Sequence, residues 1–299
     1  MKASNGKTLC VILHYGSEHD TNSCIRSMFG IVNLKIVVSD NDPHQSYEPD
    51  SDILDQVEII RTGGLAGFSE GNNIGVNKFL SAEYSSILIL NNDTIVTDGA
   101  IDLLRETLEV NNVGAVGPCM PFLSDPSKIW ACGGYINNFT LGVGGLQPEG
   151  DLPYVVDYLP GAAILLRREL WEIIGGFNEA YFLAYEEVQL CLEIKRRGFL
   201  VMADPRSIIL HKVGMSSEVK PEYYYNGIRN RLIFSRYFFG NSFGLLYGVV
   251  TSLLFSLSRN LFKTITNLKL CFMAINDDLN DVKISREIFQ SISKNFMRF

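Results

Sequence analysis

Ser86-Ser-Ile-Leu-Ile-Leu-Asn-Asn-Asp93 is an apolar run that stops abruptly on two amides and a carboxylate. Its composition is that of a buried β-strand, which would deliver Asp93 to the edge of a sheet. Divalent cations prefer hard oxygen ligands and neutralise diphosphates, so such a strand end suits an enzyme that uses nucleotide-activated substrates. A simple turn is the alternative, because Asn and Asp favour turns whatever the function.

Strand-like and helix-like runs alternate through the first half of the chain, which predicts an α/β domain with a mostly parallel sheet. The strand-like runs are Thr8–Leu13, Lys35–Ser39, Val57–Arg61, Ser86–Leu90 and Val113–Val116, and helices are expected near Asp20–Phe29, Asn72–Leu80 and Ala100–Val110. Ligands gather beyond the carboxyl ends of such strands, where His14, Asp40 and Asp93 would lie. The glycine-rich stretch 133–150 is expected to be a connector or loop.

Two adjacent glutamates stand near the start of the helix-like run 184–198. Glu187 shares a helix face with apolar residues three, four and seven positions further on, whereas Glu186 aligns with the polar face. The spacing therefore predicts that Glu187 points inward and Glu186 toward solvent or a rim. An inward carboxylate must be hydrogen-bonded, metal-bound or functional, and burial raises its pKa toward that of a general base. A carboxylate that only complements the helix dipole is the alternative.

Two later segments carry further candidate ligands. Ile208-Ile-Leu-His211 is a strand-like run that ends on a histidine, which would be a second metal contact if it met an acidic strand tip. Tyr223-Tyr-Tyr-Asn-Gly-Ile-Arg-Asn-Arg231 begins a helix with two guanidinium groups. Arginine binds phosphate in a bidentate manner, so Arg229 or Arg231 would hold a leaving diphosphate or a lipid pyrophosphate. The alternatives are a structural histidine and a basic helix beside the membrane.

Charge is distributed unevenly along the chain. From Lys195 onward there are 16 Lys or Arg and 7 Asp or Glu, a net charge of +9, which leaves −16 for residues 1–194 out of a total of −7. A basic C-terminal third favours contact with phospholipid or a phosphorylated substrate, and no nucleic-acid-binding signature accompanies it. Uneven solvated charge without a partner is the alternative.

An uncharged run of 22 residues lies between Arg236 and Arg259. Its hydroxyl and amide side chains argue against a membrane span, so we expect a helix in the membrane interface, with Arg259, Lys263 and Lys269 facing lipid phosphates. A buried core helix is the alternative. The N-terminal apolar run is too short for a signal peptide, and the six cysteines are scattered without metal-ligand spacing. We therefore expect reduced thiols and a cytosolic setting.

In this order the motifs resemble those of family 2 glycosyltransferases with the GT-A fold, specifically the bacterial rhamnosyltransferase-like branch that builds surface polysaccharides. The resemblance extends from about Thr8 to Arg236. Its main carriers are Val37-Val-Ser-Asp-Asn41, Ala66-Gly-Phe-Ser-Glu-Gly-Asn-Asn-Ile-Gly75, Leu90-Asn-Asn-Asp-Thr94, Pro160-Gly-Ala-Ala163 and Tyr185-Glu-Glu-Val-Gln-Leu-Cys191. It implies an α/β GT-A domain over residues 1–220, with a Rossmann-like mixed sheet and flanking helices, followed by a helical, membrane-associated region over residues 221–299.

The resemblance also implies roles for matching residues. Asn91, Asp93 and His211 match the positions that bind Mn²⁺ or Mg²⁺, and Glu187 matches the catalytic base, with Glu186 as its rival. The nucleotide-sugar site would comprise His14, Tyr15, Asp40, Gly67, Asn72, Asn92, Gly161, Ala162, Arg229 and Arg231, with Asp40 on the nucleotide base. Two departures stand out, because many relatives have aspartate where this chain has Asn91 and Glu187.

These expectations describe an inverting enzyme that moves a sugar from a dTDP- or UDP-linked donor to a hydroxyl of a lipid-linked saccharide in O-antigen or related synthesis. It would act on the cytoplasmic face of the inner membrane as a peripheral protein. A catalytically silent GT-A domain that serves as a membrane-bound assembly partner is the alternative. A nucleotidyltransferase is disfavoured, because Leu13-His-Tyr-Gly-Ser-Glu18 carries no lysine or arginine.

Overall fold

The structure is a computed structural model that describes residues 6–44, 46–213, 220–258, 264–280 and 282–296. Arg259 and Lys263, which the sequence placed opposite lipid phosphates, lie outside these residues. Lys269 lies within them and is exposed.

A mixed β-sheet forms the centre of the protein, with a separate two-stranded hairpin beside it. The strands are β1 (Lys7–His14), β2 (Leu34–Asp40), β3 (Val57–Arg61), β4 (Tyr84–Asn91), β5 (Thr94–Val96), β6 (Val113–Phe122), β7 (Asp125–Cys132), β8 (Gly134–Ile136), β9 (Val143–Gly145), β10 (Tyr154–Val155), β11 (Ala163–Arg167) and β12 (Leu200–His211). The order in the main sheet is β10-β12-β6-β11-β4-β1-β2-β3, with β5 on β12 and β7 on β6, and β8 pairs with β9.

The helices flank this sheet and continue beyond it toward the C-terminus. They are α1 (Glu18–Arg26), α2 (Phe68–Phe79), α3 (Ala100–Leu108), α4 (Arg168–Ile174), α5 (Glu186–Arg196), α6 (Pro221–Phe239), α7 (Asn241–Ser258), α8 (Thr264–Leu279) and α9 (Arg286–Phe296), with a 3-10 turn at Leu54–Gln56. None of the described helices is both long enough and apolar enough to cross a membrane.

The two halves of the sheet differ in strand direction. β3, β2, β1 and β4 are parallel, as the alternation of strands and helices predicts. β11 runs antiparallel between β4 and β6, and β5, β7 and β10 also pair antiparallel with their neighbours. The predicted mixed α/β sheet is confirmed: the N-terminal half is entirely parallel, whereas the other half combines the parallel β6–β12 pair with antiparallel pairs.

Strand register brings the polar strand ends to one edge of the sheet. His14 pairs with Asp40 across β1 and β2, and Leu13 pairs with Asn91 across β1 and β4. From the other side β12 pairs with β5, which sets His211 opposite Thr94. The carboxyl edge of the sheet therefore collects the polar residues that the sequence singled out.

Three apolar cores hold the molecule together. Two cover the opposite faces of the sheet, and a third lies among α6, α8 and α9, where Tyr225, Leu232 and Leu270 are buried. Burial of each such side chain contributes about 1.5–3 kcal/mol. The third core also takes in Phe182 from the segment before α5, so the C-terminal helices pack on the chain close to the two glutamates. A boundary between residues 220 and 221 stays a prediction.

The expectation of a loop over residues 133–150 is wrong in part, because this stretch contains β8 and β9. Their pairing sets Gly134 opposite Gly145. Backbone bonds from Cys132 N to Leu146 O (2.8 Å) and from Leu146 N to Gly133 O (2.9 Å) attach the hairpin to the chain beside it. Such short strands with several glycines show no alternation of apolar and polar residues. Pairing with neighbouring segments of the chain stabilises them.

Candidate active site

Asp93 and His211 meet where β4 and β12 end. Asp93 Oδ1 lies 3.3 Å from His211 Nε2, and the backbone N–H of Lys212 donates to the Asp93 carbonyl over 2.9 Å. Within the described part of the chain, Asp93 Oδ1 and His211 Nδ1 are buried atoms without a hydrogen-bond partner. The fold thus brings together two side chains, distant in sequence, that retain unused lone pairs.

The chemistry of this pair fits a divalent cation such as Mn²⁺ or Mg²⁺. Two neighbouring ligands of an octahedral ion lie about 3 Å apart when each is about 2.1 Å from the ion, close to the observed 3.3 Å. Asn91 is half-buried at the end of β4, two residues before Asp93. No group of three His, Cys, Asp or Glu side chains occurs among the described residues, so other positions around an ion would fall to water and phosphate oxygens.

Asn92 and His14, both predicted to bind the donor, contact the same threonine hydroxyl within the protein. The Asn92 Nδ2 group donates to Thr21 Oγ1 (2.9 Å) and to the Tyr15 carbonyl (3.3 Å). His14 Nδ1 lies 2.7 Å from the same Thr21 oxygen, and its ring packs 4.5 Å from that of Tyr47 between centroids. Burial lowers the pKa of His14. His14 is only 1% exposed, and its contact with the donor stays a prediction.

Asp40 is also committed inside the protein. Its Oδ2 accepts from Arg61 Nη1 over 2.8 Å, its Oδ1 accepts from the Asp42 N–H over 3.1 Å, and the residue is fully buried. The contact between Asp40 and the nucleotide base stays a prediction, and in this structure the carboxylate is used by Arg61 and Asp42. Residue spacing showed that Asp40 ends a strand, but it did not show that Arg61 on β3 reaches back to it.

Gly67 lets the chain approach the Phe182 backbone closely, whereas Gly161 has room for a Cβ beside Phe68 and Glu187. A Cβ on Gly67 would lie 2.2 Å from the Phe182 carbonyl oxygen, so a side chain there would collide with backbone. A Cβ on Gly161 would lie 3.6 Å from the Phe68 ring and 3.7 Å from the Glu187 Cβ. Phe68 therefore lies beside the glutamate that the sequence selected as the base.

Ala162 and Asn72 shape the site from behind. Ala162 is buried, and its carbonyl accepts from the Asn91 N–H over 2.9 Å. Asn72 is fully buried, its Nδ2 donates to the Phe68 carbonyl over 3.0 Å, and its Oδ1 has no partner among the described residues. Both side chains are buried in the protein beside the candidate site. Their direct contact with the donor stays a prediction.

A strained turn presents the two glutamates at the start of α5. Ala184 and Tyr185 have φ values of 71° and 74°, a left-handed conformation that side chains other than glycine seldom adopt. The Asn230 amide on α6 donates to the carbonyls of Leu183 (2.7 Å) and Ala184 (2.8 Å), and Asn226 also donates to Leu183. The C-terminal helices therefore fix the backbone that orients the glutamates.

The two carboxyl groups differ from the expected arrangement. Glu186 is only 3% exposed, whereas Glu187 is half-buried, so the prediction that Glu186 faces solvent is wrong. α6 covers the polar face of α5, as the bond from Tyr237 to Glu193 shows. Burial and the neighbouring Glu187 raise the pKa of Glu186 well above its usual range. Burial raises the pKa of Glu187 to about 7, although backbone hydrogen bonds at the helix start oppose this rise.

Replacing Glu186 with glutamine is expected to stabilise the protein increasingly as pH rises. Above its ordinary pKa of 4.5 the unfolded carboxyl ionises while the buried one keeps its proton, so this group lowers stability by about 1.4 kcal/mol per pH unit up to its folded pKa. The variant lacks this loss. Thermal melting between about pH 5 and 7.5 should show a growing gain, with about 2–4 °C for each kcal/mol.

Glu193→Gln is the matched control on the same helix. Burial opposes ionisation there, but the bonds from Tyr237 and Arg197 hold the pKa of Glu193 below its usual value. This variant should therefore lower the melting temperature near neutral pH. A Glu186→Gln protein whose difference from wild type does not change with pH would contradict the assignment of a buried, protonated Glu186.

Arg229 is buried and bonded to two carbonyl groups, and its phosphate contact stays a prediction. Arg229 is 5% exposed and donates to the carbonyls of Ala180 (2.7 Å) and Val282 (2.9 Å), so it ties the segment before α5 to the C-terminal helices. Arg231 is half-buried beside Tyr185, where burial raises the pKa of the phenol and the Arg231 guanidinium opposes that rise. A phosphate contact of Arg231 stays a prediction.

Two residues near the Asp93–His211 pair were missed. The Lys212 ammonium lies 2.9 Å from Asp20 Oδ2, and Asp93 adds to the rise in its pKa that Asp20 causes. The Trp130 ring meets the His211 ring edge-on, with 4.5 Å between centroids. Lys212 follows His211 directly in the sequence, so sequence analysis could have identified it. Trp130 lies on β7, and no local sequence pattern indicates that it contacts His211.

A mixed α/β sheet with an Asp–His pair at its carboxyl edge, and a half-buried glutamate at the start of α5, fits a GT-A glycosyltransferase fold. The family described as "Glycosyltransferase like family 2" matches residues 23–231, and the chain belongs to that family. The predicted family is therefore confirmed, and the chain is a glycosyltransferase-fold protein with a mixed α/β sheet.

Similar proteins are named as hexosyl- and rhamnosyltransferases. The chain is 24% identical to the low-salt glycan biosynthesis hexosyltransferase Agl10 of Haloferax volcanii, over 82% of this chain and 81% of that protein. It is 23% identical to the dTDP-rhamnosyl transferase RfbF of Shigella flexneri, over 71% of each. It is 27% identical to the rhamnosyltransferase WbbL of Escherichia coli K12, over 60% of this chain and 73% of that protein.

A solved structure shows the same fold. The crystal structure of GalNAc-T7 with UDP, GalNAc and Mn²⁺ superposes with a TM-score of 0.64 at 13% identity, and the match covers 97% of this chain and 57% of that chain. The chain thus spans little more than half the length of this structural neighbour.

Proposed function

We propose that this protein is a metal-dependent, inverting glycosyltransferase that moves a sugar from a nucleoside-diphosphate donor to a hydroxyl of a lipid-linked saccharide in surface polysaccharide synthesis. The observation that carries this proposal is the convergence of Asp93 and His211, 3.3 Å apart at the carboxyl edge of the sheet. Glu187 supports it, because a half-buried carboxylate with a pKa of about 7 suits a general base.

Asp93, His211 and Asn91 would hold the cation. When bound, Mn²⁺ or Mg²⁺ supplies positive charge that stabilises the negative charge of the departing diphosphate. The Lys212 ammonium lies at the same strand end and adds positive charge there.

Glu187 would act on the acceptor. Its carboxylate takes the proton of the acceptor hydroxyl, and the oxygen of that hydroxyl displaces the diphosphate at the anomeric carbon. A single displacement inverts the anomeric centre and needs no protein nucleophile. Phe68 and Gly161 flank Glu187, so the sugar would lie against an apolar wall from which water is partly excluded.

Two donors are supported by the similar proteins. The relative from Shigella is named a dTDP-rhamnosyl transferase, whereas the structural neighbour was solved with UDP. A third relative, from Myxococcus xanthus, is named an O-antigen biosynthesis protein. We therefore propose dTDP-linked 6-deoxyhexoses first and UDP-linked hexoses second, with a polysaccharide intermediate as acceptor.

A turnover assay tests the proposal. Purified protein would be incubated with dTDP-rhamnose or UDP-hexoses, Mn²⁺ and a lipid-linked saccharide extract, and release of free nucleoside diphosphate would be followed by ³¹P NMR. Acceptor-dependent release that stops in Glu187→Gln supports the enzyme. Donor binding without release with any donor would indicate the silent assembly partner instead.

We also propose that the protein works as a peripheral protein at the cytoplasmic face of the membrane. α7 exposes a stripe of apolar side chains at helical spacing, namely Phe243, Leu246, Val250 and Leu254, which are 60%, 62%, 46% and 62% exposed. Such a face on an uncharged helix suits insertion at the lipid–water boundary. The basic C-terminal third of the chain complements anionic lipid.

Replacing both Leu246 and Leu254 with serine is expected to weaken binding to vesicles of anionic phospholipid by about tenfold or more, because apolar burial contributes most of such binding. Co-sedimentation with the vesicles measures this. Leu152→Ser is the control, since Leu152 is 75% exposed elsewhere on the surface. Equal sedimentation of the double variant and wild type would contradict the membrane assignment.

A further inference from the structure

A cavity of about 360 Å³ lies between the sheet edge and the C-terminal helices. Tyr15, Gly67 and Phe68 line it from the catalytic part of the chain, and Glu222, Tyr223 and Arg286 line it from α6 and α9. The volume falls within the range of small-molecule sites. Neither C-terminal charged residue was singled out by the sequence.

Arg286 is a buried cation without a matching anion. It is 9% exposed, its Nη2 donates to the Ala66 carbonyl over 3.0 Å, and its guanidinium carbon lies 4.3 Å from the centre of the Tyr15 ring. Its Nε is buried and has no partner among the described residues, where no ion pair of Arg286 occurs either. A buried charged group in this state has donor capacity to offer a ligand.

Glu222 presents the complementary feature in the same cavity. It is 8% exposed, and its Oε2 is buried without a hydrogen-bond partner in the part of the chain that the structure describes. Arg286 and Glu222 do not pair with each other within 4.0 Å. The cavity therefore offers a donor and an acceptor on separate sides.

The remaining lining is mixed, with two aromatic rings, Phe182 and Phe289, beside Leu13, Asn41, Leu183, Lys220 and Gln290. Phe182 stacks on Phe289 with 4.9 Å between centroids and an angle of 27°, and Tyr223 meets Phe289 edge-on at 5.4 Å. Flat walls with a few placed polar groups favour a flat heterocycle over a flexible chain.

We infer that this cavity binds the pyrimidine base of the donor nucleotide, with Arg286 donating to a ring carbonyl and Glu222 accepting from the ring N3–H. This inference rests on the proposed function. Uracil and thymine present an acceptor, a donor and a second acceptor along one edge, which an arginine and a carboxylate complement. Lys220 and Arg286 also line the cavity, but a diphosphate has no donor for the Glu222 carboxylate, whereas the base has its N3–H. Asp40 is already bonded to Arg61.

The position of the cavity suits this role. Tyr15 lines it, and the Tyr15 carbonyl accepts from Asn92, the residue before Asp93. A nucleotide whose base lies in the cavity would therefore extend its diphosphate toward the Asp93–His211 pair. The C-terminal helices would complete the donor site and would be required for donor affinity.

Calorimetry with UDP and its N3-methylated analogue, in the presence of Mn²⁺, tests the inference. Wild type should bind N3-methyl-UDP about tenfold or more weakly than UDP, because methylation removes the ring donor. Arg286→Gln should weaken binding of UDP by about tenfold or more. Glu222→Leu should bind UDP more weakly and should largely lose the discrimination against the methylated analogue, because leucine has no acceptor for the ring N3–H.

Lys283→Gln is the control, since Lys283 lies exposed beside α9 and pairs with Glu70 at 3.1 Å. Thermal melting of each variant checks that the buried substitutions leave the protein folded. Folded Arg286 and Glu222 variants that bind both ligands as wild type does would overturn the inference and leave the proposed function standing. Wild type that discriminates against the methylated analogue while Glu222→Leu discriminates equally would also overturn it. Absence of UDP and dTDP binding in wild type would instead contradict the proposed function.

Discussion

Replacing Glu187 with glutamine is expected to lower kcat by about 10²–10⁴-fold, the range of a lost general base, while donor affinity stays within about twofold. The substitution keeps the size of the side chain and removes its ability to take a proton. Glu187 lies at the start of α5 beside Phe68 and Gly161, so its loss acts on the reacting end of the site.

The pH dependence of turnover is a second test of the role of Glu187. The ionised form is the active base, and burial raises the pKa of Glu187 to about 7. Turnover of the wild type should therefore rise with pH up to about 7 and level off above it, whereas the residual activity of Glu187→Gln should lack this step.

Glu169→Gln is the matched control, because Glu169 is exposed on α4. Full turnover in Glu187→Gln, or the same pH profile in both proteins, would contradict the assignment. Loss of activity in Glu186→Gln with retention in Glu187→Gln would exchange the two roles.

Replacing Asp93 with alanine is expected to lower turnover by about 10³-fold or more, since charge stabilisation by a metal amounts to several kcal/mol in the transition state. Asp93 Oδ1 lies 3.3 Å from His211 Nε2 and makes no hydrogen bond to the described residues, so it is available to a cation. Raising the Mn²⁺ concentration should recover little of the activity. His211→Asn should give a smaller loss in the same direction.

Asp98→Ala is the control for this pair, because Asp98 is exposed a few residues further along. An Asp93→Ala protein with unchanged Mn²⁺ dependence would show that the metal binds elsewhere. Activity that does not depend on a divalent cation would contradict the proposed metal dependence.

Local pattern was sufficient for the N-terminal part of the sheet. Val57–Arg61 was predicted with the bounds that β3 has, and the apolar run ending at Asp93 is β4 followed by its turn. Strand periodicity and strand ends are properties of adjacent residues, so a sequence displays them directly. The same reason explains why Asp93 and His211 were both identified as strand-end groups.

Contacts between distant segments could not be predicted from local pattern. Helical spacing predicted that Glu186 faces solvent, because it considers α5 alone. In the fold α6 covers that face of α5. Arg229 was predicted to bind phosphate, and in the fold its Nη1 and Nη2 groups donate to the carbonyls of Ala180 and Val282. Asp40 was predicted to contact the nucleotide base, and in the fold its carboxylate accepts from Arg61 on β3. Residue type shows what a side chain is able to bind, and only the fold shows which partner it has.

Arg286 is the clearest case of a residue that no motif would reveal. It lies far along the chain from Tyr15, yet its guanidinium stacks on that ring. Spacing along a chain carries no information about such a contact.

Calorimetric titration of dTDP- and UDP-sugars into the purified protein, with and without Mn²⁺, tests the central claim most directly. The account predicts binding of at least one donor that depends on Mn²⁺ and is lost in Asp93→Ala. Binding of equal strength without the metal, or no binding of any donor under either condition, would contradict it.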